Sequence, residues 1–304
     1  MTITNAGTAV ERHAARVDAV LAQRTRLRGP QPPGDLFAGL PADHPLLKAD
    51  PRRSLDPNLE IIASYVEPED VVIDVGGGAG RVSLPLAMRC REVINVEPSA
   101  AMGAGFTANA IPAGITNASV IAGDWLTVTP PVGTTVALVN HATYLTREIV
   151  PFIEKLELAG QRRVLITVNS PPPPSWHRVL YSLVHGETEE VVPGHAELLH
   201  VLWELGILPD IRVLPLPAAK IIIPAPTREA AIAGAVARFG GDQWAFWPLG
   251  ADLEQRLRHL LAARFDELFA AGPDGFTSRC ITPGREILIT WQPTTARQVH
   301  EPSG

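Results

Sequence analysis

The chain has 304 residues, enough for one large domain or for one domain carrying a sizeable insertion. Its composition is 46% hydrophobic with a formal net charge of -6, which excludes wholesale disorder and makes a large polyanion such as DNA or RNA a poor partner. Two cysteines without paired spacing, Cys90 and Cys280, exclude a disulfide framework and a cysteine-rich zinc site. The first ten residues carry neither a basic cluster nor an apolar signal core, and no apolar run is long enough to span a bilayer. A soluble, cytoplasmic protein with no membrane partner is expected.

Residues 8–27 read as an amphipathic helix, with Val10, Ala14, Val17, Val20 and Leu21 at helical spacing and Gly29-Pro30 as its stop. A loop follows through 35–53. Asp56 ahead of Pro57 then caps a second helix over 58–66.

From residue 71 onward, short β-branched runs alternate with helical stretches. Strands are expected at 71–75, 92–96, 119–121, 136–139 and 163–168, with helices at 81–89, 100–110 and 147–158 between them. Runs this apolar are covered on both faces, and strand–helix repetition builds a doubly wound parallel α/β sheet. After residue 174 the rhythm changes, and 171–194 reads as a proline-rich loop. A helix at 196–205, a bent or paired strand over 211–216 and 220–223, helices at 227–239 and 251–271, and a last strand at 286–291 complete the reading.

The chemistry concentrates at strand ends. Gly76, Gly77, Gly78 and Gly80 follow the first strand directly. Glycine is needed where a chain turns sharply and lets a ligand touch bare backbone, and the helix beginning near Arg81 would add unpaired amides. A dinucleotide fingerprint would place a third glycine where Arg81 stands. Asp74 is an acid inside an apolar strand; buried, it needs a partner, and a ligand ammonium would serve, directly or through water. Glu97, followed by Pro98, ends the second strand, where an acid can accept ribose hydroxyls. Asp124 and Trp125 follow the third strand; Asp124 could take an adenine amino group, and Trp125 could pack against the base and supply a backbone amide. Asn140 and His141 end the fourth.

These residues resemble the class I S-adenosylmethionine-dependent methyltransferases over residues 55–168, and more loosely to 291. The glycine run with Asp74 is similar to that family's first motif, Glu97 to its ribose acid, and Asp124-Trp125 to its adenine motif. The resemblance implies a Rossmann-like, seven-stranded sheet whose last strand is antiparallel, S-adenosyl-L-methionine as cofactor, and in-line methyl transfer to a small-molecule acceptor. It also implies three regions: a cap at 1–54, a cofactor-binding core at 55–170, and a remainder at 171–304 whose helical insert, about 227–272, forms part of the acceptor site.

The Asn-Pro-Pro-Tyr type motif of nucleic-acid amino methyltransferases and the magnesium-holding acidic cluster of catechol-type enzymes are both absent, so no metal is expected. Asn140 and His141 occupy the edge where the transferable methyl should lie. His141 has three readings: a general base, a lining of the cofactor's methionine portion, or a structural histidine. Tyr144 is a weaker catalytic candidate. His177, His185, His195 and His200 lack metal-pair spacing. Trp176, Trp244, Phe246 and Trp247 could wall an acceptor site or simply form core, and Arg52-Arg53 reads as solvated. Two alternatives stay open: a non-catalytic, methyltransferase-like binding module, and an NAD-dependent oxidoreductase.

Overall fold

The computed structural model describes residues 7–31, 33–172, 178–218, 224–241, 250–280 and 284–293. The expected strand at 220–223 and the aromatic residues Trp176, Trp244, Phe246 and Trp247, with His177, lie outside them.

Thr8 caps α1 (Ala9–Arg28) in a capping box with Glu11, and Asp56 caps α2 (Pro57–Ala63) through the amides of Asn58 and Leu59. The chain then runs β1 (Val71–Val75), α3 (Ser83–Ala87), β2 (Glu92–Glu97), α4 (Ala100–Ala110), β3 (Ala118–Ala122), β4 (Val136–Asn140), α5 (Ile149–Ala159) and β5 (Arg163–Ser170). After it come α6 (Arg178–His185), α7 (His195–Glu204), β6 (Asp210–Ala218), α8 (Arg228–Gly241), α9 (Ala251–Ala263), α10 (Phe265–Leu268), β7 (Phe269–Gly272), β8 (Gly275–Ser278) and β9 (Gly284–Trp291).

Seven strands form one sheet in the order β3-β2-β1-β4-β5-β9-β6. The first five pair in parallel; β9 runs antiparallel to both β5 and β6. The expected last antiparallel strand is therefore present, inserted one place in from the edge. The order reverses direction between β1 and β4, the switch point at which open α/β sheets bind ligands.

Side chains alternate between the two faces of each strand. One face, with Ile73, Val96, Val139, Ile166 and Ile289, packs against α1, α5 and α7. The other, with Val72, Val93, Leu138, Leu165 and Leu288, packs against α2, α3 and α4. On this second face the apolar pattern breaks towards the carboxyl edge. Asn95 and Glu97 of β2, Asp74 of β1, Asn140 of β4, Thr167 and Asn169 of β5 and Glu286 of β9 share its parity, forming one polar row across five strands. The opposite face carries Val75, Val96, Val139 and Val168 at the same height.

Two expectations in the carboxyl half are corrected. Residues 251–271 are not one helix: α9 ends at Ala263, and residues 269–278 form the β7–β8 hairpin, Phe269 paired with Ser278. The Pro-rich stretch before Gly194 contains a helix, α6, whose Leu180 and Tyr181 pack with α8, α9 and the hairpin in a separate small core around Phe239, Leu257, Leu261 and Phe265. Single-sequence periodicity missed the hairpin because Phe265, Leu268 and Phe269 continue helical spacing across the break. This unit hangs from the carboxyl edge of the parallel strands: Ala218 pairs with Gly284 and Ser170 with Arg285, so β5, β6 and β9 all meet their connections there.

Candidate functional site

The bend after β1 uses its glycines in full. Gly76, Gly78 and Gly80 adopt φ of 69°, 56° and 80°, left-handed backbone that side chains resist. At Gly76 an added Cβ would lie 2.8 Å from Ala142 Cβ, so the turns after β1 and β4 abut at the switch point. Asn95 braces the bend twice: its Oδ1 accepts from the Gly77 amide at 3.1 Å and its Nδ2 donates to the Gly78 carbonyl at 2.8 Å. Gly78 N–H donates to Glu97 Oε2 at 2.9 Å. The following helix, α3, is five residues long with no side-chain cap, shorter than the expected 81–89. The loop amides of Gly77 and Gly78 are thus bonded within the protein and shape the bend.

Asp74 is fully buried, and neither carboxylate oxygen has a hydrogen-bond partner among the described residues. Ser83 lies close enough to influence it but outside hydrogen-bonding geometry, and its hydroxyl is itself unpartnered. Burial pushes the Asp74 carboxyl up to about 7, against an opposing effect of Ser83 and with a further contribution from the Glu97 charge. A buried acid left unsatisfied is costly in an empty protein and useful in one that binds a cation.

Glu97 is 6% exposed. Its second oxygen accepts from Ser99 N–H at 2.8 Å. Burial raises its pKa, partly offset by the Ser99 and Gly78 amides. A carboxylate has about four lone-pair positions, so the two amides leave room for hydroxyl donors. Pro98 is exposed beside it. Ser99 caps α4 through the Met102 amide and donates to Asp35, which also accepts from Ala101 and Phe37 N–H. A strap from the amino-terminal region therefore ends beside Glu97 and the start of α4. Arg52, exposed as expected, and the half-buried Arg53 belong to this strap: Arg52 holds the Ala113 carbonyl and Arg53 the Arg81 carbonyl.

Asp124 is exposed and caps its own turn at Leu126 N–H, 2.8 Å. Trp125 departs from the stacking expected of it. Its indole is 4% exposed, donates to the Phe152 carbonyl at 3.3 Å and meets the Phe152 ring edge-on. The ring is committed to the core, which leaves only the backbone amide of Trp125 for a ligand.

At the end of β4, Asn140 Oδ1 accepts from the Thr167 hydroxyl. His141 sits at φ 59° with its amide held by Thr167 O at 3.0 Å. Its Nε2 is 2.7 Å from Glu286 Oε1 and its Nδ1 is 3.2 Å from the Tyr144 hydroxyl, the two rings lying 6° from parallel. Tyr144 Oη accepts from Asn169 N–H at 2.6 Å, and Asn58 Nδ2 donates to Glu286 Oε2 at 2.5 Å. Burial drives the Tyr144 pKa far upward, so the phenol keeps its proton and can give it to Nδ1; His141 then donates from Nε2 to Glu286. Burial also pushes Glu286 upward, but the hydrogen bonds from His141 and Asn58 outweigh it and hold the carboxyl below its ordinary value. Both imidazole nitrogens are engaged, so His141 acts as a base only after one of these bonds breaks.

Sequence reasoning missed Asn58, Asn95, Asn169 and Glu286. The legible signal was the polar residue recurring on one parity of otherwise apolar strands. His185 lies against Tyr181 and Phe239 in the small core, and His200 meets the Trp203 edge. No group of three or more His, Cys, Asp or Glu among the described residues could hold a metal ion. Nor is any helix among them long and apolar enough to cross a membrane.

No family profile matches the chain, and no curated protein matches it in sequence. Solved structures do. A provisionally assigned methyltransferase of Bacillus halodurans C-125 is 16% identical, covering 78% of this chain and 97% of its own, at a TM-score of 0.52. The YcgJ protein of Bacillus subtilis is 15% identical over 77% of this chain and 96% of its own, at 0.49. At such identities the likeness speaks to architecture. The protein has the Rossmann-like fold of the class I S-adenosylmethionine-dependent methyltransferases.

Proposed function

We propose that the protein binds S-adenosyl-L-methionine at the carboxyl edge of β1 and β2 and transfers its methyl group to a small-molecule acceptor. The observation that carries this reading is Asp74: a fully buried carboxyl with no partner among the described residues, directly beneath a glycine bend and one strand from Glu97. That pair matches a ligand with a cationic amine and a sugar diol. Asp74 holds the ammonium, Glu97 accepts from the ribose hydroxyls with its remaining lone pairs, and Asp124 with the Trp125 amide receives the adenine. Asn95 holds no ligand; it fixes the bend.

The cofactor supplies an electrophilic methyl on sulfonium, so the chain's task is alignment in a dry site. Positioning of this kind corresponds to about 7–11 kcal/mol of barrier in well-oriented systems. The α6, α8 and α9 unit joins the sheet at this same edge, which supports its expected role as cover over the acceptor; within the cap at 1–54 it is the 35–53 strap that reaches the site, beside the cofactor core at 55–170. His141 is a brace in this reading, keeping Glu286 and Tyr144 oriented where the acceptor enters.

A nicotinamide reading is disfavoured by Arg81 at the third-glycine position and by antiparallel β9 between β5 and β6, unlike the parallel dinucleotide-binding order. Incubation with methyl-labelled S-adenosylmethionine and a pooled metabolite library tests turnover. Label appears in an extractable small molecule if the proposal holds. Cofactor binding without any label transfer would favour the binding-module reading.

A further inference from the structure

The polar row has two ends. Glu97 and Asp74 occupy one; Asn169 and Glu286 occupy the other, directly paired across the β5–β9 ladder. Residues so paired have Cβ atoms about 4.5–5.5 Å apart on one face. We propose that this second end is the acceptor subsite and that it takes a small molecule bearing an amino group, docked as an ammonium between the Glu286 carboxylate and Asn169 Oδ1. The proposal rests on the cofactor reading above.

The hydrogen-bond inventory points to a donor-rich ligand. Four donors here are spent internally, while the Asn140 and Asn169 Nδ2 groups carry no hydrogen bond among the described residues. Asn169 N–H goes to Tyr144, the Tyr144 hydroxyl to His141, His141 Nε2–H to Glu286, and the Thr167 hydroxyl to Asn140. Acceptors are left over. Asn169 is 4% exposed and its Oδ1 has no partner among the described residues. Glu286 has accepted two hydrogen bonds, one per oxygen, and its side chain remains 21% exposed. A carboxylate offers about four lone-pair sites, so it can take more. It is also kept ionised by its neighbours. Arg81 reaches it only through its charge and forms no ion pair with it among the described residues.

An ammonium brings three donors and a positive charge, and hydrogen bonds to an ionised acceptor are roughly twice as strong as neutral ones. A hydroxyl brings one donor. A carboxylate ligand would meet Glu286 as a like charge. His141, held in a left-handed turn by the Thr167 carbonyl, keeps the Glu286 carboxylate from rotating away. Glu286 is on this account a specificity determinant of the acceptor site.

The test uses the full chain saturated with S-adenosylhomocysteine and three fragments with one carbon skeleton: 2-phenylethylamine, 2-phenylethanol and phenylacetate. Binding is read by ligand-observed NMR. The amine should bind about tenfold tighter than the alcohol, with the acid weakest. In Glu286→Gln, which keeps the shape and removes the charge, the amine should lose that advantage while S-adenosylhomocysteine affinity stays within about twofold. Asn169→Ala, which leaves the His141–Glu286 bond intact, should weaken the amine as well and serves if the first variant folds poorly. No amine preference in the wild type overturns the proposal, as does an unchanged preference in both variants. Failure of S-adenosylhomocysteine to bind the wild type would instead remove the cofactor reading, and this inference with it.

Discussion

Asp74 and Asn95 face each other across β1 and β2, and the two side chains divide one task. Asn95 makes both of its bonds to the glycine bend; Asp74 makes none to any described residue. Between them passes Gly77, where an added Cβ would lie 2.1 Å from Asp74 Oδ2 and 2.7 Å from Asn95 Oδ1. The bend is closed over a carboxylate that it does not satisfy.

Gly77→Ala should therefore fail through sterics. Neither neighbour is a flexible side-chain tip in open space, and overpacking at buried sites costs about 1–3 kcal/mol or more. Thermal melting should fall by several degrees, and S-adenosylhomocysteine affinity should fall more than a hundredfold. Near-wild-type affinity in a well-folded Gly77→Ala protein would mean that the ligand does not approach the bend.

Asp74 makes binding and stability depend on pH in opposite senses. Its carboxyl, ordinarily at 3.8, titrates near 7 in the folded chain. Between these values the folded state holds a proton that the unfolded state has released, so ligand-free stability falls as pH rises from about 4 to 7. Asp74→Asn should abolish that slope and stabilise the ligand-free protein at pH 8 by an amount on the order of a few kcal/mol. A cationic ligand favours the ionised form, so cofactor affinity should weaken as pH drops below 7, with proton uptake or release visible in calorimetry across buffers of different ionisation enthalpy. A pH-independent affinity between 5 and 8 would mean that Asp74 does not face a cation.

Trp125 and Asp124 separate a core role from a ligand role. Trp125→Phe removes the indole donor to Phe152 O and should cost about 1 kcal/mol in stability while leaving cofactor affinity nearly unchanged. Asp124→Ala should weaken adenine-containing ligands about tenfold with little loss of stability, since its exposed carboxylate caps only a turn. The reverse pattern would return the indole to the ligand site.

Much of this was legible beforehand, for physical reasons that differ by region. Parallel strands buried on both faces announce themselves as apolar runs, so β1 and α4 came out to the residue and β2, β4 and β5 within two. Glycines needed at positive φ stand out because no other residue substitutes well. The ends of the polar row were harder. Glu286 lies in a strand more than a hundred residues from His141, and only the antiparallel insertion of β9 beside β5 brings them to 2.7 Å. The Trp125 ring read as a base-stacking platform because sequence position cannot tell which way an indole turns; its packing on Phe152 is a tertiary fact. The β7–β8 hairpin hid because apolar residues at helical spacing do not report where the chain reverses, whereas α6 hid because the prolines at 171–174 make its stretch read as loop.

Glu97 carries the ribose assignment. Glu97→Ala removes the acceptor for the Gly78 and Ser99 amides as well as for the ligand, so a loss of binding needs a control for the bend itself. Glu97→Gln supplies it, retaining one acceptor oxygen. Affinity should fall about tenfold in the glutamine variant and beyond detection in the alanine variant, with both folded by circular dichroism. Equal, small losses in the two would assign Glu97 to structure.

The most direct measurement is calorimetric titration of the wild-type chain at pH 8 with S-adenosylmethionine, S-adenosylhomocysteine and NAD in turn. Both adenosyl compounds should bind at one site per chain with micromolar or tighter affinity, and NAD should give no saturable heat. Saturation by NAD, or silence from both adenosyl compounds in folded protein, would contradict the assignment of the Asp74–Glu97 edge.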